Sequence, residues 1–310
     1  MAWPILAAGL AMAGLVVTST GAPAPTWVDV PGVATEPYQR MTVPVTIQGM
    51  GPYRFLIDTG AQATVLSRDI ADRLKLTDRR PATLVGIASS MKVETAAVDG
   101  IELGRHRFNV PMAPLVDVAN MGGADGVIGL DSLQDQRVLI DFKHKTIHVA
   151  DARELGGNRD YEIIVRAKHK LGQLIITEAR VDGVKVAVIL DTGAQGSTGN
   201  PALLQRLKRH GLAGEATLTD INGQVLTGPL HIANDLRIDR VELHNLPILF
   251  APSPTFDQLG LTDQPALILG MEQLRLFNRV AIDFASRRVL FDVPPMETFT
   301  TGTMFGHNTL

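Results

Sequence analysis

Phe55-Leu56-Ile57-Asp58-Thr59-Gly60-Ala61-Gln62 recurs further along the chain as Val188-Ile189-Leu190-Asp191-Thr192-Gly193-Ala194-Gln195. Two more blocks repeat in the same order. Gly126-Val127-Ile128-Gly129-Leu130 is matched by Leu267-Ile268-Leu269-Gly270-Met271, each with a leucine three residues on, at Leu133 and Leu274. Arg137-Val138-Leu139-Ile140-Asp141-Phe142 is matched by Arg279-Val280-Ala281-Ile282-Asp283-Phe284. Three matched blocks in one order describe an internal duplication, and the offset lengthens along the chain as loops grow between conserved spacings.

Each copy reads mostly as strand. Val43 to Ile47 alternates toward a turn at Gly49 and Gly51, and Tyr53 to Ile57 returns as the second arm of a hairpin. Glu178 to Val181, a turn at Asp182-Gly183 and Val184 to Leu190 repeat that pattern. A short helix is predicted some way after each motif, the clearer one with Asn200 as N-cap, Pro201 at the first helical position and Leu203, Leu204 and Leu207 on one face. Turns at Lys143-His144-Lys145 and Ala285-Ser286-Arg287 close the last strands. The division predicted is a first lobe over 27–152, a linker marked by Gly156-Gly157-Asn158, a second lobe over 160–294 and a loose tail over 295–310.

One Asp-Thr-Gly at a strand end is an ordinary turn, in which the carboxylate accepts backbone N–H groups. Two copies, each after three apolar residues and each followed by an apolar-apolar-Gly run, point to chemistry. Carboxylates at equivalent strand ends of two related lobes can meet across a pseudo-two-fold axis. A few ångströms apart they cannot both ionise easily, so they share a proton. The ionised member can draw a proton from a water, while the protonated member donates to the carbonyl that the water attacks. That chemistry needs no cofactor, no metal and no covalent nucleophile.

Composition narrows the alternatives. The 310 residues contain no cysteine, which excludes disulfides, thiolate nucleophiles and cysteine-bound metals. The 29 Lys+Arg and 32 Asp+Glu nearly cancel without a long basic run, so a nucleic-acid partner is not expected. His144 and His148 lie four apart beside a lysine-rich turn and read as a solvated hairpin rather than metal ligands. Asp141 and Asp283 repeat as faithfully as Asp58 and Asp191, but each sits beside a Phe near a strand end. They are expected to cap the strand or pair with Arg137 or Arg279.

The constellation resembles the aspartic proteases, and among them the retropepsin-like group. Asp58-Thr59-Gly60-Ala61, Asp191-Thr192-Gly193-Ala194, Val127-Ile128-Gly129 and Ile268-Leu269-Gly270 carry the resemblance through both lobes. It implies a mostly β chain of two homologous pepsin- or retropepsin-like β-barrel lobes about a pseudo-two-fold axis. It implies an aspartic endopeptidase with Asp58 and Asp191 as the catalytic dyad, acting on a protein or peptide substrate. A non-catalytic peptide-binding protein on the same fold is the alternative. Thr59 and Thr192 would brace the two loops across the lobe interface, and Gly60 and Gly193 would permit the tight turn that lets the loops approach. The resemblance also makes flap candidates of the turns around Gly86 and Ile87 and around Ile221 and Gly223, which would close over an extended peptide. Ala61 and Ala194 stand where pepsin-like enzymes have Ser or Thr. Loss of that hydroxyl should raise the dyad pKa and give a mildly acidic to near-neutral optimum. Gln62 and Gln195 replace the Asp that retropepsins commonly carry there.

Trp3 to Val17 is almost unbroken in apolarity, and Ala22-Pro23-Ala24 supplies small residues for a cleavage site. About 15 apolar residues span roughly 22 Å as a helix, short of the ~20 needed to cross a bilayer. Residues 1–26 are therefore expected to be a secretory signal or an N-terminal anchor, with a buried helix as the plainer reading. The expected location is the periplasm or outside the cell. Membrane contact would follow only if residues 3–17 are retained, as an inner-membrane anchor. With both carboxylates on one chain, a monomer is expected.

Overall fold

The computed structural model describes residues 4–6, 41–155, 157–158, 161–207 and 212–294. The tail over 295–310 lies outside them. So does the N-terminal segment, apart from the strand Pro4–Leu6, whose backbone pairs in parallel with Thr83 to Val85.

The strand alternation appears where the sequence predicts it. Thr42–Ile47 buries every second residue, placing Val43, Val45 and Ile47 inward. It turns through Gln48 and Gly49, both at positive φ, into Met50–Ile57. The matching hairpin joins Gln173–Val181 to Val184–Leu190 through Asp182 and Gly183, again both at positive φ. That is the backbone a two-residue hairpin turn requires.

In the first lobe Thr42–Ile47, Met50–Ile57, Gly126–Ile128, Val65–Ser67, His106–Val116 and Ser90–Leu103 are bonded in that order. The last strand returns to the first, closing a six-stranded barrel. The second lobe repeats the circuit with Gln173–Val181, Val184–Leu190, Ala266–Leu269, Ser197–Gly199, Val241–Phe250 and Val225–Ile238. In each lobe a strand, Arg79–Val85 or Leu212–Thr219, extends the circuit as the outer arm of a long hairpin, and the short Lys168–Lys170 pairs outside Gln173–Val181.

The final strands of each repeat leave their barrels for a shared five-stranded sheet. At its centre Arg137–Asp141 pairs antiparallel with Arg279–Asp283, so that Arg137 faces Asp283, Asp141 faces Arg279 and Leu139 faces Ala281. The two copies of the third repeated block thus bond to each other, and the pseudo-two-fold axis passes between Leu139 and Ala281. One apolar cluster runs from the first barrel through Val138, Ile140, Val280 and Ile282 into the second. At about 1.5–3 kcal/mol for each fully buried Val, Ile or Leu, this shared core is a principal source of inter-lobe cohesion.

The helix after the second motif is Pro201–Leu204, a single turn. Asn200 caps it by accepting from the Leu203 N–H at 2.9 Å, while its amide reaches the carbonyls of Leu261 and Gln264. Leu203 and Leu207 are buried.

Candidate active site

Both Asp-Thr-Gly loops follow a strand that lies parallel to the apolar-Gly run of its own lobe. Phe55, Leu56 and Ile57 pair with Gly126, Val127 and Ile128; Val188, Ile189 and Leu190 pair with Leu267, Ile268 and Leu269. Past its glycine each run crosses behind the loop. Leu130 and Asp131 donate backbone N–H groups to the carbonyls of Ala61 and Gln62, and Met271 and Glu272 do the same for Ala194 and Gln195. A hydroxyl completes each brace: Gly129 N–H donates to Thr64 Oγ1, and Gly270 N–H to Ser197 Oγ, both at 3.1 Å.

On the axis the two loops grip one another. Thr59 Oγ1 donates to the Leu190 carbonyl at 2.9 Å and accepts from the Thr192 N–H at 3.2 Å. Thr192 Oγ1 donates to the Ile57 carbonyl at 2.7 Å and accepts from the Thr59 N–H at 3.0 Å. Each hydroxyl both donates and accepts, which satisfies buried backbone groups of both lobes at once.

This grip brings Asp58 and Asp191 together, both at 0% exposure. Asp58 Oδ1 accepts from the N–H groups of Gly60 and Ala61, at 2.8 and 3.0 Å. Asp191 Oδ1 accepts from Gly193 and Ala194, each at 2.9 Å. Burial, and next the negative charge of Asp191, hold the Asp58 carboxyl well above the ordinary carboxylate range, against the pull of the two loop N–H bonds.

Gly60 and Gly193 lie where the two loops approach most closely. Neither has a positive φ. A Cβ on Gly60 would lie 2.5 Å from Asp191 Oδ2, and one on Gly193 would lie 2.3 Å from Asp58 Oδ2. What excludes a side chain is the approach of the opposite carboxylate.

The flap candidates are the tips of the two long hairpins, and they cross. Ile87 of the first lobe, 1% exposed, packs into the apolar cluster around Ala194, Ile189 and Ile268 of the second. Ile221 of the second lobe, also 1% exposed, packs into the cluster around Ala61, Leu56 and Val127 of the first. A polar clasp joins the tips. The buried Asp220 carboxylate accepts from Ser89 Oγ at 2.7 Å and Ala88 N–H at 3.3 Å, and the Asn222 amide donates to Ser89 Oγ at 3.0 Å. Gly86 offers its carbonyl to Thr255 Oγ1 at 3.3 Å, and Gly223 lies beside Asn120.

Thr64, Ser197, Asp220 and Gln173 are site elements that sequence reading does not single out. The offset between the two motifs also aligns Thr64 with Ser197, and that was the available signal. Away from the axis, Asp283 pairs with Arg137 at 2.6 Å, both buried. Asp141 holds His144 Nδ1 at 2.8 Å, and His148 Nε2 lies 3.1 Å from Thr146 Oγ1.

The sequence profile of the family described as aspartyl protease matches residues 43–132 and 177–273, one segment in each lobe. Among solved structures, basic 7S globulin from soybean is 11% identical over 81% of this chain and 90% of its own, with a TM-score of 0.42. A retropepsin-like aspartic protease from Rickettsia conorii is 22% identical over 42% of this chain and 89% of its own, with a TM-score of 0.27.

Proposed function

The chain belongs to the aspartyl protease family, and from that premise we propose that it is an endopeptidase whose Asp58/Asp191 pair activates water. The observation that carries this reading is the pair of buried carboxylates, each oriented by two loop N–H groups and locked by the crossed Thr59–Thr192 grip. In the ground state one carboxyl holds a proton and its twin is ionised. The ionised member takes a proton from water as the water oxygen attacks the scissile carbonyl carbon. The protonated member gives its proton to the carbonyl oxygen, forming a tetrahedral diol. Collapse re-forms the carbonyl and breaks the C–N bond, with a proton passing to the leaving nitrogen.

A peptide reaches the pair only when the tips around Ile87 and Ile221 part, and it would lie extended, bonded through its backbone to the hairpin arms. The chain supplies both carboxylates, so a monomer suffices; sedimentation of the active species as a dimer would refute that. Residues 1–26 direct export in this reading, which N-terminal sequencing of the mature protein tests.

The deciding experiment is cleavage of a diverse peptide library from about pH 3.5 to 8, beside Asp58→Asn and Asp191→Asn. Each variant is expected to lose about 10²–10⁴-fold in rate. Cleavage that survives either substitution would break the dyad. Peptide binding by the unmutated chain without cleavage would replace the enzyme with a binding protein.

A further inference from the structure

We propose that Gln173, from the second lobe, is a positioning residue for Asp58 that acts through the Gly60–Ala61 peptide group. The inference rests on the endopeptidase reading above. Gln173 opens the strand Gln173–Val181 and is 0% exposed. Its Nε2 donates to the Gly60 carbonyl at 2.5 Å, across the lobe boundary. Its Oε1 is buried without a hydrogen-bond partner, and a flipped amide would set two oxygens face to face. The donor end is therefore the end turned to the loop.

The Gly60 carbonyl and the Ala61 N–H belong to one peptide group, and that N–H donates to Asp58 Oδ1 at 3.0 Å. A carbonyl that accepts a hydrogen bond polarises its peptide and strengthens the N–H as a donor. Gln173 thereby favours the anionic form of Asp58 without touching it. The turn that delivers Gln173, through Leu171 and Gly172 at positive φ, is tied back by Gln62 Nε2 donating to the Leu171 carbonyl at 2.7 Å. The bond runs from the second lobe to the loop of the first. Among the described residues, Asp191 is the titratable group whose charge acts on Asp58.

The test compares Gln173→Leu with Gln62→Ala by pH profiles of kcat/KM. Gln173→Leu removes the donor, whereas Gln62→Ala loosens the same turn and leaves the Gly60–Ala61 peptide alone. Gln173→Leu is expected to lower kcat about tenfold and move the acidic limb up by about half a pH unit. Gln62→Ala should leave the limb in place. A limb unmoved in Gln173→Leu, or moved equally in both, overturns the proposal. Gln173→Met follows the same path if the Leu variant does not fold.

Should the unmutated chain cleave nothing, the endopeptidase reading fails, and thermal midpoint against pH still decides the inference. A buried acid with a raised pKa binds more protons in the folded state. Stability therefore falls as pH rises from the ordinary carboxylate range through the raised value. Gln173→Leu is expected to carry that fall to higher pH, and an unchanged curve refutes the role.

Discussion

The two lobes agree at the paired loops and diverge away from them. Where the loops meet, four contacts come as twins: threonine grip, carboxylate cradle, crossing run and bracing hydroxyl. One shell out, the twins part. Thr64 is anchored by the Asp131 carboxylate at 2.6 Å, whereas Ser197 leans on the neutral Gln273 amide, also at 2.6 Å. Burial raises the Asp131 carboxyl, although the bonds from Thr64 and Ser132 pull it down. Glu272 is likewise raised by burial, with the Gln195 amide opposing. Arg137 is sealed against Asp283 and also donates to the Gly157 carbonyl and Asn158. Its twin Arg279 lies part-exposed over the Tyr161 ring with Asp292 at 2.6 Å. A single chain releases its halves from identity, even at the axis, where Leu139 faces Ala281.

The largest expected effect is on the axis. Gly193→Ala and Gly60→Ala should each cut cleavage by about 100-fold or more, because displacement of a reacting group by about an ångström costs that much. Wild-type rates in either would mean that the loops do not approach as described.

Next comes the arginine pair. Arg137→Met leaves Asp283 buried and unpaired and should cost about 3–5 kcal/mol. Arg279→Met, at a partly solvated pair, should cost about 1 kcal/mol or less. Urea unfolding measures both, and equal costs would erase the distinction between the twins.

A smaller effect than at Arg137 is expected at the clasp. Ser89→Ala removes the bonds of one hydroxyl to Asp220 and Asn222, about 1–2 kcal/mol together, and should speed amide exchange at the tips around Ile87 and Ile221 about fivefold or more. The amides at Gly60 and Gly193 should not change. Faster exchange there would mean that the tips and the dyad are one cooperative unit.

Reading the chain locates the motifs, the hairpins and the two-lobed order, because these depend on local periodicity and turn chemistry. Asn200-Pro201 announces its cap, and Asp182-Gly183 its turn. Asp283 is identified as a partner for an arginine, but not which arginine becomes buried. Arg137 and Arg279 sit in near-identical blocks, so nothing within either block distinguishes them. Gln173 carries no local signal, since its partner Gly60 lies more than a hundred residues away, and Asp220 announces only its own turn, through Asn222 and Gln224 N–H, not its bonds to Ser89 and Ala88.

By itself, then, the sequence determined a duplicated β chain with two equivalent Asp-Thr-Gly loops and the chemistry such a pair invites. Tertiary structure alone decided that Leu139 and Ala281 flank the axis, that Ile87 and Ile221 exchange lobes, and that Gln173 supports the loop of the opposite lobe. The physical reason is range. Alternation, caps and turns act over a few residues and are written in consecutive letters. Contacts between copies depend on where the symmetry axis falls, which is settled only when both barrels have closed and packed on their shared sheet.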